Sequence, residues 1–185
     1  MLWSTVESLG KDGLPRWDFS RLARIVALAE AHSLKVIVEW VGSNWGGAAN
    51  SAPKYINDDT SGKYQKIMRA DGSLAQGSKF SGGVYAWTNE AIVAKETAAL
   101  AKLAEWIRAN DPEHTIIMVA LNIEFGIHQS VNTDRSYDAH FHDLYQAGGY
   151  TDPERFNQDT TQAYFQTITS AFHRVLPGYP LTTAT

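Results

Sequence analysis

Apolar residues recur at helical spacing in three stretches of the chain, and each stretch predicts one helix. The first starts at Asp18 and should end near His32, and its repeating apolar positions are Leu22, Ile25, Val26 and Ala29. The second starts at Thr88 or Asn89 and ends at Asn110-Asp111-Pro112, and its buried face is Val93, Leu100, Leu103 and Ile107. The third has a capping-box variant at Asp159 and Gln162, and its apolar positions are Phe165, Ile168, Phe172 and Val175.

Three short runs of β-branched and aliphatic residues alternate with these helices, and they predict strands. The runs are residues 34–41, residues 115–121 and a strand-like run over residues 180–185. Nearly continuous apolar strands that alternate with helices are typical of a parallel sheet with crossover helices. The pattern therefore predicts an α/β fold.

Long polar segments follow the first two strands, whereas the connections from helix back to strand are short. Residues 42–87 are rich in Gly, Ser, Asn and Asp, and residues 122–156 are loop-rich with room for one short helix. This asymmetry favours a (β/α)8 TIM barrel, in which sites are built from the loops after the strands. A doubly wound open sheet shares the alternation and is the alternative. No Gly-x-Gly-x-x-Gly or P-loop motif follows a strand, which weakens the nucleotide-binding versions of that alternative.

Composition and charge exclude several classes of protein. The chain is 44% hydrophobic and 11% aromatic, which indicates a packed core rather than a disordered chain. Its net charge of -4 is scattered without a basic stripe, so neither nucleic acid nor an anionic membrane is an expected partner. No run reaches the roughly 18 apolar residues that span a bilayer. The absence of cysteine excludes disulfides, thiolate zinc sites and a cysteine nucleophile. The compartment and the oligomeric state stay open.

Two carboxylates lie at or just past the carboxyl ends of predicted strands. Glu124 follows the strongest strand, between Ile123 and Phe125, and these apolar neighbours would raise its pKa as a general acid requires. Glu39 closes the other clear strand. Adjacent strands lie about 5 Å apart, so the two carboxylates are expected to lie close, as glycoside hydrolysis requires. The alternatives are a surface glutamate for Glu124 and a salt bridge at the rim for Glu39.

Aromatic residues are interspersed in the long polar segment after the first strand. They are Trp45, Tyr55, Tyr64, Tyr85 and Trp87. Flat aromatic faces on loops can stack on apolar ligands such as sugar rings, which makes Tyr85 and Trp87 candidate substrate-binding residues. The alternative is that these side chains pack the loop onto the body of the domain.

Histidines alternate with other polar residues over residues 138–143, where His140 and His142 lie two positions apart. This spacing differs from the His-Glu-x-x-His pattern of a zinc helix, and solvated polar side chains explain it better. We therefore expect no metal and no other cofactor. A metal-dependent barrel hydrolase that uses these histidines is kept as a third hypothesis, which metal analysis would settle. No Gly-x-Ser-x-Gly elbow is present, so a serine hydrolase is not expected.

Several segments together resemble clan A glycoside hydrolases, in particular the β-galactosidase-like enzymes related to families 35 and 42. The matching segments are Trp3-Ser4-Thr5-Val6-Glu7, Trp17-Asp18-Phe19-Ser20, residues 29–37, Trp40-Val41-Gly42, Ser51-Ala52-Pro53-Lys54-Tyr55-Ile56, Arg69-Ala70-Asp71-Gly72-Ser73, and residues 116–119 leading to Glu124 and Gly126. Their order and spacing carry the resemblance, which covers most of the chain up to Gly126.

The resemblance implies a retaining O-glycosyl hydrolase that acts on a carbohydrate substrate. Glu124 would protonate the glycosidic oxygen and then activate water, and a second glutamate after strand seven would be the nucleophile. Glu39, Trp40, Trp45 and Asn122 would line the sugar site. The clan usually has Asn directly before the acid/base, but Ile123 holds that place here, so a bulge would have to bring Asn122 into the role.

A full barrel needs roughly 250 residues, whereas this chain has 185. Residues 1–185 are therefore expected to form a partial catalytic barrel that covers about strands 2 to 5 and lacks the nucleophile. Such a chain should have little or no glycosidase activity alone. Its open edges and apolar faces should also cause self-association, which light scattering would detect. The alternative function is a non-catalytic carbohydrate-binding barrel derived from such an enzyme.

Overall fold

The structure, a computed structural model, describes residues 1–43, 51–74, 84–122 and 138–184. A 3-10 turn, Trp3–Thr5, precedes strands β1 (Glu7–Leu9) and β2 (Pro15–Trp17). The remaining elements are α1 (Ser20–Ala31), β3 (Val36–Val41), α2 (Lys54–Asn57), α3 (Glu90–Asn110), β4 (Ile116–Asn122), α4 (Ala139–Ala147), α5 (Pro153–Val175) and β5 (Leu181–Ala184). This order confirms the predicted alternation of helices and strands.

Strands β3, β4 and β5 form a parallel sheet in that order. The long connections between them carry α3 and α5, which pack against each other. Within the described part of the chain this sheet is open, so the structure is mixed α/β with a partial rather than a closed barrel. At the upper end of the sheet, Val41 pairs with Asn122 and Asn122 pairs with Ala184. The carboxyl ends of the three strands therefore lie in one row.

One surplus residue interrupts the pairing of β3 with β4. Val36 pairs with Ile116, but the next residue, Ile37, pairs with Met118. Ile117 therefore has no partner on β3, as in a β-bulge. Beyond this point the pairing is regular up to the ends of both strands.

The two faces of β3 meet different surroundings because successive side chains of a strand alternate. Val38 and Trp40 are buried and belong to the hydrophobic core, together with Val119 and Leu121 of β4. On the opposite face, Ile37 is 57% exposed and Glu39 is also exposed. The face that carries Glu39 is thus open, whereas the face that carries Trp40 is covered by helices.

The helix predictions were correct for α3 and wrong in part for the other two helices. Asn89 caps α3, since its side chain accepts a hydrogen bond from the amide of Ile92. Of the four apolar positions that predicted α1, Leu22, Val26 and Ala29 are buried, but Ile25 is 45% exposed. The capping role given to Asp159 is also wrong. Helix α5 begins at Pro153, and its cap is Asp152, whose carboxylate accepts from the amide of Glu154.

A hairpin that the sequence did not predict precedes α1. Strands β1 and β2 pair antiparallel, and Gly13 between them has a φ of +75°, a conformation that L side chains rarely adopt. Each strand has three residues and neither has a clear alternation of apolar and polar positions. The hairpin matters for the site because Glu7, at its first position, is buried.

The turn from α3 into β4 depends on the carboxylate of Asp111. This buried side chain accepts hydrogen bonds from the amides of Thr115, at 2.8 Å, and Ile116, at 2.9 Å. Asp111→Ala leaves two buried donors unsatisfied, so we expect the free energy of unfolding to fall by about 2 kcal/mol in urea denaturation. Glu113→Ala, an exposed neighbour in the same turn, should change it by less than about 0.5 kcal/mol. Equal losses in the two variants would contradict this role.

Candidate functional site

The candidate site is the edge of the sheet where β3, β4 and β5 end. In parallel α/β structures, residues just past the carboxyl ends of strands face the site. Gly42 and Ser43 follow β3 here, and Glu124 follows Asn122, the last residue of β4, by two positions in the sequence. Glu124 and Trp45 themselves lie outside the described residues. Their proposed roles, and the close approach of Glu124 to Glu39, therefore stay predictions.

Glu39 lies two residues below this edge, in the row that contains Ala120 and Thr182. Its side chain is exposed and borders a groove beside β3 that also includes Arg21 and Asp18. Its carbonyl oxygen accepts a hydrogen bond from the amino terminus of Met1. Glu39 is thus on the open face of the sheet, opposite to Trp40. A role of Glu39 in binding sugar stays a prediction.

Trp40 is buried at 1% exposure, and its indole N–H points at a carboxylate on α3. That carboxylate is Glu96, whose Oε1 lies 3.3 Å from Nε1 of Trp40. The other oxygen of Glu96 accepts hydrogen bonds from the amide and the hydroxyl of Ser43 and from the hydroxyl of Tyr164 on α5, at 3.0 Å. Trp40 therefore anchors β3 to the helices and leaves almost no ring surface for a sugar. Glu96 joins the end of β3 to both large helices.

Only glycine fits at position 42, because Glu96 occupies the space that a Cβ atom would need. A Cβ at Gly42 would lie 1.5 Å from Oε1 of Glu96 and 3.1 Å from Nε1 of Trp40. Backbone and carboxylate can approach this closely only at glycine. Gly42, Ser43, Trp40 and Glu96 form what we call the Glu96 cluster, which holds the chain at the point where it leaves β3.

Burial raises the pKa of Glu96 above its ordinary value of 4.5, and the hydrogen bonds from Ser43, Tyr164 and Trp40 offset this only in part. The folded state therefore binds more protons than the unfolded state above pH 4.5. Stability contributed by Glu96 is fully present below that pH and is lost as the pH rises through the folded pKa.

Glu96→Gln should remove this dependence on pH. We expect the difference in free energy of unfolding, wild type minus variant, to decrease as the pH rises above 4.5 and then to level off. Urea denaturation at a series of pH values from about 4 to about 8 measures this difference, and the subtraction cancels other titrating groups. If the free energies of unfolding of the two proteins changed in parallel with pH, the carboxyl of Glu96 would not titrate in that window.

A second buried carboxylate, Glu7, ties the segment after β3 to the amino-terminal hairpin. Its Oε2 accepts from the indole N–H of Trp3 at 2.5 Å, and its Oε1 accepts from the hydroxyl of Tyr55 at 2.7 Å. Burial raises the pKa of Tyr55, and the hydrogen bond to Glu7 adds to this rise. Lys95 of α3 lies over the ring of Tyr55, 5.6 Å from its centroid. Tyr55 is thus fixed from two sides.

Tyr85 and Trp87 are buried within the body of the domain rather than displayed on its surface. The hydroxyl of Tyr85 donates to Asn57 at 2.8 Å, and the indole of Trp87 donates to Thr160 of α5 at 3.0 Å. These contacts correspond to the packing alternative for the two aromatics. In this arrangement they support the segment after β3, and direct contact with a sugar stays a prediction.

The histidines considered as metal ligands lie in the first turn of α4. Asp138 caps this helix by accepting from the amide of Phe141. His140 and His142 are two residues apart, so they point to different sides of the helix. Across the described ranges, no group of three or more His, Asp or Glu side chains is placed to hold a metal ion. Those same ranges contain no helix with the length and hydropathy needed to cross a bilayer.

Comparison with known proteins gives similarity to glycosidases in both sequence and fold. The chain is 28% identical over 151 residues to the "Probable mannan endo-1,4-beta-mannosidase F" of Aspergillus flavus, and equally to that of Aspergillus oryzae. The match covers 72% of this chain and 30% of each fungal protein. The chain therefore spans less than a third of the length of these relatives. No protein-family model matches it.

A solved structure of similar fold is the β-galactosidase from Bacillus circulans sp. alkalophilus. The TM-score is 0.60 at 15% sequence identity, and the match covers 98% of this chain but 30% of that enzyme. This neighbour is a TIM-barrel glycosidase, so the fold similarity supports the predicted barrel class. The sequence similarity to a mannosidase supports the resemblance to glycoside hydrolases in general, and it does not single out families 35 and 42.

Sequence reasoning missed Glu96 as the residue that organises this edge. A signal was present, because Glu96 falls on the buried face of α3 between Ile92 and Leu100, at helical spacing from both. A carboxylate on an apolar stripe needs buried partners. Glu7 was indicated in a different way, because it lies four residues after Trp3 in the segment that resembles clan A enzymes.

Proposed function

We propose that this chain is the part of a retaining, β-galactosidase-like O-glycoside hydrolase, related to families 35 and 42, that carries the general acid/base Glu124. The observation that carries the proposal is the common row in which β3, β4 and β5 end, with Glu124 two positions beyond β4. In a barrel enzyme the residues at such positions reach the substrate. The similarity to a mannosidase over 72% of the chain supports a carbohydrate substrate.

In this proposal the residues at the edge have distinct tasks. Glu124 donates a proton to the glycosidic oxygen and then accepts one from water, while a nucleophile outside this chain forms the glycosyl intermediate. Asn122 and Trp45 contact the sugar. The Glu96 cluster and the Glu7–Tyr55 contact do not touch the substrate, and they hold the segments that do.

Glu39 faces the open side of the sheet, two residues below the edge, so it would line the sugar site from below. Trp40, Tyr85 and Trp87, which are buried, would act as supports of that site.

The test is titration of the isotope-labelled chain with β-1,4-mannan and β-galactoside oligosaccharides, observed by NMR. We expect amide shifts at Ser43, Glu39 and Asn122 with a dissociation constant in the millimolar range, as is usual for part of a site. Glu124→Gln should weaken binding several-fold, whereas Glu113→Gln, on the opposite end of the sheet, should not. Saturable binding that Glu124→Gln leaves unchanged would instead favour the non-catalytic carbohydrate-binding barrel.

Turnover separates the catalytic part of the proposal from the binding part. An aryl β-galactoside and an aryl β-mannoside should be hydrolysed by the isolated chain at no more than the background rate, because an acid without a nucleophile cannot complete double displacement. Robust turnover would overturn the proposal that the nucleophile lies outside this chain. Absence of any oligosaccharide shift at the edge of the sheet would overturn the glycosidase proposal itself.

A further inference from the structure

A buried carboxylate lies against the backbone at the point where the chain leaves β3. Glu96 is 2% exposed, and its two oxygens accept four hydrogen bonds from neutral donors. Oε1 faces the indole N–H of Trp40, whereas Oε2 faces the amide and hydroxyl of Ser43 and the hydroxyl of Tyr164. Among these described partners Tyr164 is the only other titratable group, and none is charged. Burial and neutral donors therefore decide whether Glu96 is ionised.

The two protonation states of Glu96 cannot hold the same set of hydrogen bonds. An ionised carboxylate only accepts, so it satisfies all four donors. A protonated one must also donate, and neither an indole nor an amide N–H can receive that hydrogen. On Oε1 the proton would face the indole of Trp40 and the backbone of Gly42, where there is no room even for a Cβ atom. The proton therefore lies on Oε2, where the hydroxyls of Ser43 and Tyr164 can accept it.

Protonation of Oε2 changes both contacts of Ser43 with α3. The amide of Ser43 donates to this oxygen at 3.2 Å, and a protonated oxygen is a weaker acceptor than an ionised one. The hydroxyl of Ser43 must turn its own hydrogen away from Glu96 when it accepts the proton. Val41, two residues before Ser43, pairs with Asn122, which contacts the sugar in the function proposed above. The order of the chain at Ser43 therefore bears on the carbohydrate site.

We propose that Glu96 is a positioning residue that orders Ser43 fully only in its ionised form, so that carbohydrate binding at the edge of the sheet becomes tighter as the pH rises. The carbohydrate part of this proposal rests on the proposed function. Folding favours the opposite state, because burial raises the pKa of Glu96 and the stability that it contributes is lost as the pH rises. The form that orders the exit from β3 is thus the less stable one. A ligand that requires this form lowers the pKa of Glu96 in return, since coupling between sites is reciprocal.

The first measurement follows the free chain without a ligand. In NMR spectra of the isotope-labelled chain from about pH 4 to about pH 9, the amide of Ser43 and the indole of Trp40 should shift with one common midpoint. Glu96→Gln should abolish this midpoint. Tyr164→Phe should raise it, because the hydrogen bond from Tyr164 lowers the pKa of Glu96. A purely structural role of the carboxylate would move neither midpoint. Signals that stay fixed, or that titrate equally in Glu96→Gln, would overturn the proposal.

The second measurement adds the same β-1,4-mannan and β-galactoside oligosaccharides as above at both ends of that pH range. The wild type should bind at least about fivefold more tightly at the higher pH, a usual size for coupling between two sites. Glu96→Gln cannot titrate, so its affinity should change by less than about twofold. Glu105→Gln, which alters a half-exposed carboxylate of the same helix, should keep the wild-type ratio. Circular dichroism checks that each protein is folded at each pH.

The outcomes separate this inference from the proposed function. Binding with the same pH profile in the wild type and in Glu96→Gln would overturn the inference alone. Absence of binding at every pH would overturn the proposed function and the link to carbohydrate together, even if Ser43 titrates with Glu96. Tighter binding at the lower pH that Glu96→Gln abolishes would show that the protonated form orders the site, and it would overturn the direction proposed here.

Discussion

Glu96→Ala should lower the free energy of unfolding by about 4 kcal/mol, the largest loss that we expect from a single substitution in the described part of the chain. The truncation opens a cavity between β3, α3 and α5. It also leaves the indole of Trp40, the amide and hydroxyl of Ser43 and the hydroxyl of Tyr164 without their acceptor. Each unsatisfied buried donor costs about 1–3 kcal/mol, and the cavity adds to that loss. Urea denaturation measures the effect.

Two control variants separate the role of the buried carboxylate from the general effect of changing α3. Glu105→Ala removes a half-exposed carboxylate of the same helix, which pairs with Lys102 at 2.6 Å, and it should change stability by less than about 0.5 kcal/mol. Glu96→Gln keeps the volume and one acceptor oxygen, which can still accept from Ser43 and Tyr164, so it should lose less than half as much as Glu96→Ala. If Glu96→Ala were no worse than Glu105→Ala, the Glu96 cluster would not hold this part of the fold together.

Gly42→Ala is expected to cost about 3 kcal/mol, although it adds only one methyl group. The new Cβ would overlap the carboxylate of Glu96, 1.5 Å from Oε1 and 2.6 Å from Cδ. Either the carboxylate moves and its hydrogen bonds to Ser43 and Trp40 break, or the backbone after β3 shifts. Both outcomes are forms of overpacking in a site with no free space. Thermal or urea denaturation would give the loss directly.

A double-mutant cycle decides whether the clash with Glu96 is the cause. In a Glu96→Ala background the overlapping atoms are absent, so Gly42→Ala should cost less than about 1 kcal/mol there. Gly62→Ala is the matched glycine control, since its Cβ would meet open space and only its φ of +80° opposes an alanine, at about 1 kcal/mol. An additive cycle would indicate that backbone strain at Gly42, rather than contact with Glu96, limits this position.

The regular elements of the sheet were predictable because their signals are local. The run from Val36 to Val41 is almost entirely β-branched or aromatic, and a strand of this composition needs no knowledge of its neighbours. The start of α3 was predicted at Thr88 or Asn89, and Asn89 is the cap, since its side chain accepts a hydrogen bond from a free amide of the first turn. The parallel order followed from the alternation of these elements.

The start of α5 has a local signal that the sequence prediction missed, because Asp152, Pro153 and Glu154 supply the cap, the first-turn proline and the first-turn acid typical of a helix start. Its first turns are also covered by aromatic rings of the preceding segment. Phe156 packs against Phe141 of α4, with ring centroids 4.9 Å apart, and against Tyr150, at 5.0 Å. That aromatic contact covers a stretch with little apolar periodicity of its own. Asp159 was therefore predicted as the start of the helix, but it lies inside α5, where its carboxylate accepts hydrogen bonds from Tyr150 and Arg155.

The row formed by the ends of β3, β4 and β5 follows from the predicted parallel sheet, whereas the contacts that organise this edge were not predicted. Catalysis at this edge stays a proposal. The aromatics drew attention as sugar-binding surfaces, but Trp40, Tyr85 and Trp87 are buried with their polar atoms paired to Glu96, Asn57 and Thr160. Whether an aromatic in a polar segment is displayed or buried depends on partners far away in sequence, such as Thr160 on α5.

The unpaired residue Ile117 has a consequence for how this sheet can vary between related proteins. Ile117 of β4 has no counterpart on β3. Every later side chain of β4 therefore points to the opposite face of the sheet from the one it would face without this extra residue. Val119 and Leu121 match Val38 and Trp40 only through this reversal. Without it, Met118 and Ala120 would take the helix-covered positions. Loss or gain of one amino acid near the start of β4 would thus move the core-facing side chains of the strand to the open face and the others into the core. Substitutions further along the strand would not change which face each position occupies.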